Sequence, residues 1–249
     1  MSRFYVPPEN VDERNDRIHV GRDEAHHIID VMRLKEGDMA VVFDGTGSQY
    51  TGYIEKLDPK GMSLVIHIIK TEKPDQEKRP TVYLAQAVPK KDKMDYIVEK
   101  ATELGVNFIF PMITERTIVR PDRASSLKKE SRWKMIVKEA AKQCGRMDIP
   151  VVGDIASFEE FVASFDKYDI VLLAYLGEGT MPLKKVLSGF TSGKILVLIG
   201  PEGDFTPGEI DMARKNNVRF ISLGKNVLKS DTAGLFVLSA LGYEFSSRE

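Results

Sequence analysis

From Thr81 onward the chain alternates apolar strand-like runs with amphipathic helical stretches, and that alternation leaves few architectures open. Residues 81–88 read as a buried strand. Met94, Ile97, Val98, Ala101 and Leu104 then recur at helical spacing, closed by Gly105. Phe108, Ile109 and Phe110 form a second strand. Trp133, Ile136, Val137, Ala140, Ala141 and Cys144 mark the apolar face of a long helix that Gly145 closes. Further strands are expected at 170–174, 195–199 and 220–222, with helices at 206–217 and 231–243. Strands separated by helices pair in parallel, and the helices cover both faces of the sheet. The expected fold class is therefore α/β, with a mostly parallel sheet.

The first seventy residues follow another pattern. Residues 39–43 are an apolar run ended by Asp44, Gly45, Thr46, Gly47 and Ser48, a turn cluster. Residues 49–57 alternate, residues 63–69 are rich in β-branched side chains, and Asp58, Pro59, Lys60 and Gly61 form a hairpin signal between them. Short strands at this spacing suggest a small β-barrel. One helix is expected over 23–34, with His27, Val31 and Leu34 sharing a face. Residues 70–80 are polar and bracketed by prolines, which marks them as a linker.

Composition narrows the class. The chain has 249 residues, 42% hydrophobic and 29% charged, enough apolar content for a packed core. No run of about 18 apolar residues is present, so no membrane span and no membrane partner are expected. The beginning of the chain lacks the apolar stretch of a secretory signal. The single cysteine, Cys144, suits a reducing compartment and is expected on the buried helix face rather than as a nucleophile. The cytoplasm is the expected location. The net charge of −1 conceals an asymmetry. Residues 1–72 carry 9 basic and 13 acidic side chains, residues 73–150 carry 17 and 11, and residues 151–249 carry 10 and 13. Such a basic middle third attracts a polyanion or simply forms a solvated helix face, as the i,i+4 stripe Lys134, Lys138 and Lys142 would.

Ligands of open α/β sheets gather at the carboxyl ends of strands. Two loops occupy such ends here. One runs through Gly200, Pro201, Glu202, Gly203 and Asp204; the other runs from Ser222 through Gly224 to Ser230. Glycine permits close backbone approach and proline fixes loop shape. Thr206, Pro207 and Glu209 then spell a capping box with proline at the first helical position. Neither a phosphate-binding Gly-rich loop ending in Gly-Lys-Ser/Thr nor a Gly-x-Gly-x-x-Gly turn is present. The four histidines, His19, His26, His27 and His67, have no metal-ligand spacing. No metal site is expected.

The run Leu198, Ile199, Gly200, Pro201, Glu202, Gly203, followed by Leu223, Gly224, Val227, Leu228, Lys229, Asp231, Thr232 and Ala233, resembles the signature of the SPOUT methyltransferases. More closely, the chain is similar to the bacterial 16S ribosomal RNA uridine N3-methyltransferase family, the RsmE type. Arg3, Phe4 and Tyr5, then His27, Val31, Met32 and Arg33, resemble that family's amino-terminal segment. Lys93, Met94, the run 100–106, Glu115, Arg116 and the run 143–146 resemble its middle. Two positions depart from the pattern. Asp204 stands where a second glycine is common, and Lys229, Ser230 and Asp231 stand where Arg-x-Glu is common.

The resemblance implies a PUA-like barrel domain over residues 1–72 and a SPOUT methyltransferase domain over 73–249, with a trefoil knot at about 170–249. It implies S-adenosylmethionine as cofactor and a homodimer whose active site draws on both subunits. The implied partner is 16S ribosomal RNA or the assembled small ribosomal subunit. On the matched positions, Leu223, Gly224, Val227 and Leu228 would hold adenine; Gly200, Pro201, Glu202 and Gly203 would line the ribose and methionine end. Leu173 and Ala174 would form a third wall, with Thr232 and Ala233 closing the pocket. Methylating uridine N3 requires a proton acceptor and stabilisation of charge on the uracil oxygens. Asp231 or Glu202 is the candidate acceptor and Arg116 the candidate stabiliser. Candidate RNA contacts are Arg3, Arg33, Lys90, Lys91, Arg120, Arg123, Lys128, Lys129, Arg132, Arg146 and Lys229. Two alternatives stay open: ribose 2′-O-methylation within the same superfamily, and a non-catalytic RNA-binding or assembly module.

Overall fold

The computed structural model describes residues 3–73, 79–91 and 93–246. The chain divides into two compact units, Met1–Gln76 with Lys138–Ile149, and Glu77–Val137 with Pro150–Glu249.

Among the described residues, the first unit holds β1 (Arg3–Tyr5), β2 (Val11–Asp12), β3 (Arg17–Val20), β4 (Met39–Phe43), β5 (Gln49–Asp58) and β6 (Ser63–Glu72). They form one sheet in the order β1-β4-β5-β6-β3-β2. All its pairings are antiparallel except β1 with β4. The β5–β6 hairpin turns at the expected Asp58–Gly61 signal, where Asp58 Oδ1 accepts from Gly61 N at 3.0 Å. Two irregularities in that hairpin curl the sheet, one of them at Gly52. A Cβ at Gly52 would lie 2.1 Å from the His67 carbonyl oxygen, so only glycine fits there. Alternation along β5 sends Tyr50 and Ile54 inward, to join Phe4, Ile18, Val42 and Ile66 in the core.

Three expectations change in this unit. Lys70, Thr71 and Glu72 extend β6 instead of opening a linker, because Lys70 and Thr71 pair with Thr51 and Tyr50 of β5. Residues 74–78 of the expected linker lie outside the described residues. The helix expected over 23–34 is α1 (Arg22–His26) followed by a π-helical turn, His27–Val31. The wider turn takes an extra residue and rotates the face, so Ala25 and Ile28 are buried while Val31 is 60% exposed.

The second unit holds β7 (Thr81–Ala87), β8 (Phe108–Ile113), β9 (Val151–Val152), β10 (Ala156–Ser157), β11 (Ile170–Ala174), β12 (Met181–Pro182), β13 (Lys194–Ile199) and β14 (Arg219–Ser222). The order is β10-β8-β7-β13-β11-β14-β12, with β9 beside β8, and each recorded pairing is parallel. β13 inserts between β7 and β11 although it follows both in the chain, and it is buried from Ile195 to Ile199.

The helices are α2 (Lys93–Glu103), α3 (Arg123–Cys144), α4 (Phe158–Val162), α5 (Leu183–Val186), α6 (Pro207–Lys215) and α7 (Ser230–Phe245). α7 packs on α2 and against β13 and β7. Phe158, Phe161, Ile210 and Ala213 of α4 and α6 join Leu173, Leu196 and Leu198 in a core cluster. The mixed α/β class with a mostly parallel sheet is what the strand–helix alternation predicts. The two-residue strands β9, β10 and β12 are too short to carry a period and escape the sequence pattern.

The end of α3 belongs to the first unit and changes two more expectations. Lys142 is turned inward, 2.8 Å from Glu24, with the two side chains 11% and 12% exposed. Lys138 lies 4.4 Å from the Tyr5 ring centroid. The basic stripe is therefore not a wholly solvated face. Cys144 is exposed, because it is the last residue of α3, past the buried Ala141 and immediately before Gly145 at φ +86°.

Candidate active site at the carboxyl ends of three strands

The carboxyl ends of β11, β13 and β14 release three loops, 175–180, 200–206 and 223–229, which surround one cleft of about 380 Å³. That volume falls in the range of small-molecule sites, roughly 300–1,000 Å³. Parallel strands end on one edge of a sheet, so neighbouring strands bring their loops together there.

The 200–206 loop leaves the buried end of β13 and is pinned by side-chain bonds. Ser230 Oγ donates to the Gly200 carbonyl at 2.6 Å, and Gln86 Nε2 donates to Ser230 Oγ at 2.9 Å. Both side chains are buried. The hydroxyl proton goes to Gly200, so Gln86 must present its NH₂, which also donates to Ala87 O at 3.2 Å. Gln86 Oε1 is left without a partner, packed where a Cβ on Gly234 would lie 2.7 Å away. A Cβ on Gly200 would meet the Phe205 ring at 3.0 Å, which explains the glycine there.

A second set of bonds ties the loop after β8 to the same place. The Thr206–Glu209 capping box is formed as the sequence predicts. Glu209 Oε1 also accepts from Glu115 N at 2.9 Å, and Thr206 Oγ1 donates to Glu115 Oε2 at 2.9 Å. Arg116 Nη1 then donates to Gly203 O at 2.7 Å and to Phe205 O at 3.4 Å. Helix capping and loop docking thus share one buried carboxylate, Glu209.

The structure brings most of the sequence-predicted cofactor residues together. Ala174, Gly200, Pro201, Glu202, Leu223, Gly224, Val227, Leu228 and Ala233 line the cleft, as does Lys229. Leu173, Gly203 and Thr232 are not among the lining residues. Leu173 alternates away from Ala174 and is fully buried in the core. A Cβ on Gly203 would face Arg116 at 3.4 Å, and Thr232 is exposed on α7. Residues that sequence reasoning missed on the lining include Tyr175, Leu176 and Thr180 after β11; Asp204, Ser222, Lys225, Asn226 and Ser230 also line it, on the two expected loops but without an assigned role. The signal for Asp204 was its replacement of a common glycine; the loop after β11 carried none.

Of the candidate catalytic residues, Glu202 lies on the cleft lining, and one of its oxygens accepts from Lys90 N at 3.2 Å. Asp231 sits off the lining. Its Oδ2 lies 3.2 Å from Lys93 Nζ, and its buried Oδ1 has no hydrogen-bond partner. Arg116 is exposed beside Gly203.

The candidate RNA contacts separate into two groups. Arg33, Lys90, Lys91, Arg123, Lys128 and Lys229 are exposed, and Lys129 is half-buried on α3. Others make bonds within the protein, Arg120 and Arg132 while remaining exposed. Arg3 donates to Gln49 and to the Arg146 carbonyl and lies over the Phe43 ring. Arg146 pairs with Asp148 at 2.6 Å, Arg132 with Asp95 at 2.7 Å, and Arg120 donates to the carbonyls of Thr114 and Glu115. Among the described residues, no helix is long and apolar enough to cross a membrane.

Residues 76–242 match the model of the RNA methyltransferase domain, and residues 20–66 match that of the RNA methyltransferase PUA domain. The chain is 30% identical over 250 residues to the ribosomal RNA small subunit methyltransferase E of Bacillus subtilis, covering 98% of this chain and 97% of that protein. It resembles a solved methyltransferase from Legionella pneumophila in complex with the bound cofactor SAM, with TM-score 0.85, 27% identity, and coverage of 99% and 98% of the two chains. It also resembles the ribosomal RNA small subunit methyltransferase E of Neisseria gonorrhoeae bound to S-adenosyl methionine, with TM-score 0.83, 29% identity, and 98% coverage of each chain. The chain belongs to the RNA methyltransferase family, in the group of the ribosomal RNA small subunit methyltransferases E.

Proposed function

We propose that this protein binds S-adenosylmethionine in the three-loop cleft and methylates N3 of a specific uridine in 16S ribosomal RNA. The observation that carries the reading is the convergence of the three loops on one cleft, with loop 200–206 locked to the start of α7. The residues present fit the cofactor. Ala174, Leu223, Val227, Leu228 and Ala233 offer apolar surface for a purine, and Glu202 and Asp204 offer carboxylates to a cationic, hydroxyl-bearing ligand. The names of the similar proteins support the substrate, and two of the similar structures hold this cofactor.

When bound, S-adenosylmethionine supplies an activated methyl group, so no covalent enzyme intermediate is needed. The chain's own residues then have two tasks, to hold a splayed uridine in line and to take its N3 proton. Glu202 is the better-placed acceptor, since it lies on the lining whereas Asp231 is tied to Lys93 off the cleft. Arg116 has Nη1 engaged with backbone carbonyls and retains other N–H donors of its guanidinium for the uracil oxygens. The backbones of Leu223, Val227 and Leu228 would hold adenine, with the 200–203 loop at the ribose and methionine end.

The same reading takes residues 1–72 as a PUA-like barrel that recognises RNA shape and 73–249 as the methyltransferase domain. A trefoil knot at about 170–249 is supported by the insertion of β13 between β7 and β11 and by the seating of α7 on loop 200–206. The active unit is a homodimer acting in the cytoplasm on 16S ribosomal RNA or the assembled small subunit. Phosphate contacts by Lys90, Lys91, Arg123, Lys128 and Lys129 make RNA affinity fall steeply with salt, by roughly tenfold or more between 50 and 200 mM. Filter binding across that range checks this, and a flat profile rejects the surface. The deciding experiment is nucleoside analysis of 16S RNA from cells lacking the gene. Loss of 3-methyluridine, restored by the wild-type chain, is expected; loss of a 2′-O-methyl nucleoside in its place would overturn the reading.

A further inference from the structure

Asp204 holds a left-handed backbone conformation that few side chains adopt. Its φ is +59°, in the left-handed region where glycine is at ease. Its carboxylate is used in both directions. Oδ1 accepts from Phe205 N at 2.8 Å, and Oδ2 accepts from Leu176 N at 3.4 Å, which links the loop after β11 to the loop after β13. Both Asp204 and Leu176 line the cleft. The charges of the lining are also divided. Glu202 and Asp204 lie on the loop after β13, while Lys225 and Lys229 lie on the loop after β14.

We propose that Asp204 is a cofactor-binding residue that selects the positively charged sulfonium form over the neutral-sulfur product. The inference rests on S-adenosylmethionine being the ligand of this cleft. Methyl transfer removes the sulfonium charge, so a carboxylate at the cleft wall holds the methyl donor more tightly than S-adenosylhomocysteine. By holding Leu176 N, the same carboxylate keeps the loop after β11 against the cleft. The two backbone bonds hold the aspartate at its positive φ, and its charge supplies the selection.

Two variants separate the charge from the backbone. Asp204→Gly removes the carboxylate and relieves the left-handed strain. Asp204→Asn keeps one oxygen acceptor and a side chain tolerated in that region, and removes the charge together with one of the two acceptors. Calorimetric titration of wild type and both variants with S-adenosylmethionine and with S-adenosylhomocysteine reads the selection directly. Both variants should weaken S-adenosylmethionine binding by roughly tenfold and S-adenosylhomocysteine binding by roughly threefold or less. The unfolding midpoint of unliganded Asp204→Gly should fall by no more than about 2 °C. Equal weakening toward both ligands, unchanged affinities, or a larger fall in midpoint that accompanies the loss would overturn the proposal. A wild-type chain that binds neither ligand overturns the cofactor reading with it, whereas a binding wild type with unaltered variants overturns this inference alone.

Discussion

Ser230→Ala should weaken S-adenosylmethionine binding by 10- to 100-fold, on the order of 1.4–2.7 kcal/mol, and destabilise the unliganded chain. The hydroxyl makes two buried bonds, to Gly200 O at 2.6 Å and from Gln86 Nε2 at 2.9 Å. Removing it strands an acceptor and a donor at a buried site. A buried unsatisfied group costs about 1–3 kcal/mol. The Gln86 side chain cannot compensate by rotating, because its Oε1 already lacks a partner and sits against Gly234. At about 2 kcal/mol the unfolding midpoint should drop by roughly 4–8 °C. Loop 200–206 would also lose its tie to the first residue of α7, which accounts for the affinity. Calorimetry and thermal unfolding measure both effects. Wild-type affinity with a lowered midpoint would mean that the relay serves stability only and does not position the cleft.

Arg116→Ala should lower kcat by roughly 10²–10³, the usual loss on removing one donor to a developing oxyanion, with cofactor affinity changed less than about threefold. The split follows from position. Arg116 binds the carbonyls of Gly203 and Phe205, and Gly203 is not among the cleft-lining residues, so the cofactor walls survive the truncation. What is lost is a guanidinium held against the 200–206 loop through the Gly203 and Phe205 carbonyls. Arg116→Lys keeps the charge but loses the planar fork, so partial activity is expected. Single-turnover kinetics with saturating cofactor, beside calorimetric titration, separates the two quantities. Unaltered turnover removes Arg116 from the chemistry, and a loss confined to cofactor affinity would make it a support for the Gly203 backbone.

Much of the architecture follows from spacing. The turn at Asp58–Gly61 and the capping box at Thr206–Glu209 rest on contacts within four residues, the helical spacing of Met94, Ile97, Val98 and Ala101 is equally local, and each is where the pattern puts it. The glycine bends after β13 and β14 are equally local. The misses have separate causes. The wide turn at His27–Val31 looks like an ordinary helix in sequence, and β9, β10 and β12 are too short for a period to register. The fates of Arg3 and Lys142 depend on partners 143 and 118 positions away. Basic composition alone could not separate them from the exposed Lys90, Arg123 and Lys128.

Local chemistry by itself determined the strands, most helices, the caps and the two bends from which a binding site could be built, because hydrogen bonding and side-chain periodicity act between near neighbours. Tertiary structure alone decided that β13 enters between β7 and β11, which brings the loop carrying Tyr175 and Leu176 to the cleft and sets Gln86 beneath Ser230, 144 residues away. Strand order is selected by the burial of the whole sheet, a sum over distant surfaces that no short stretch of the chain encodes.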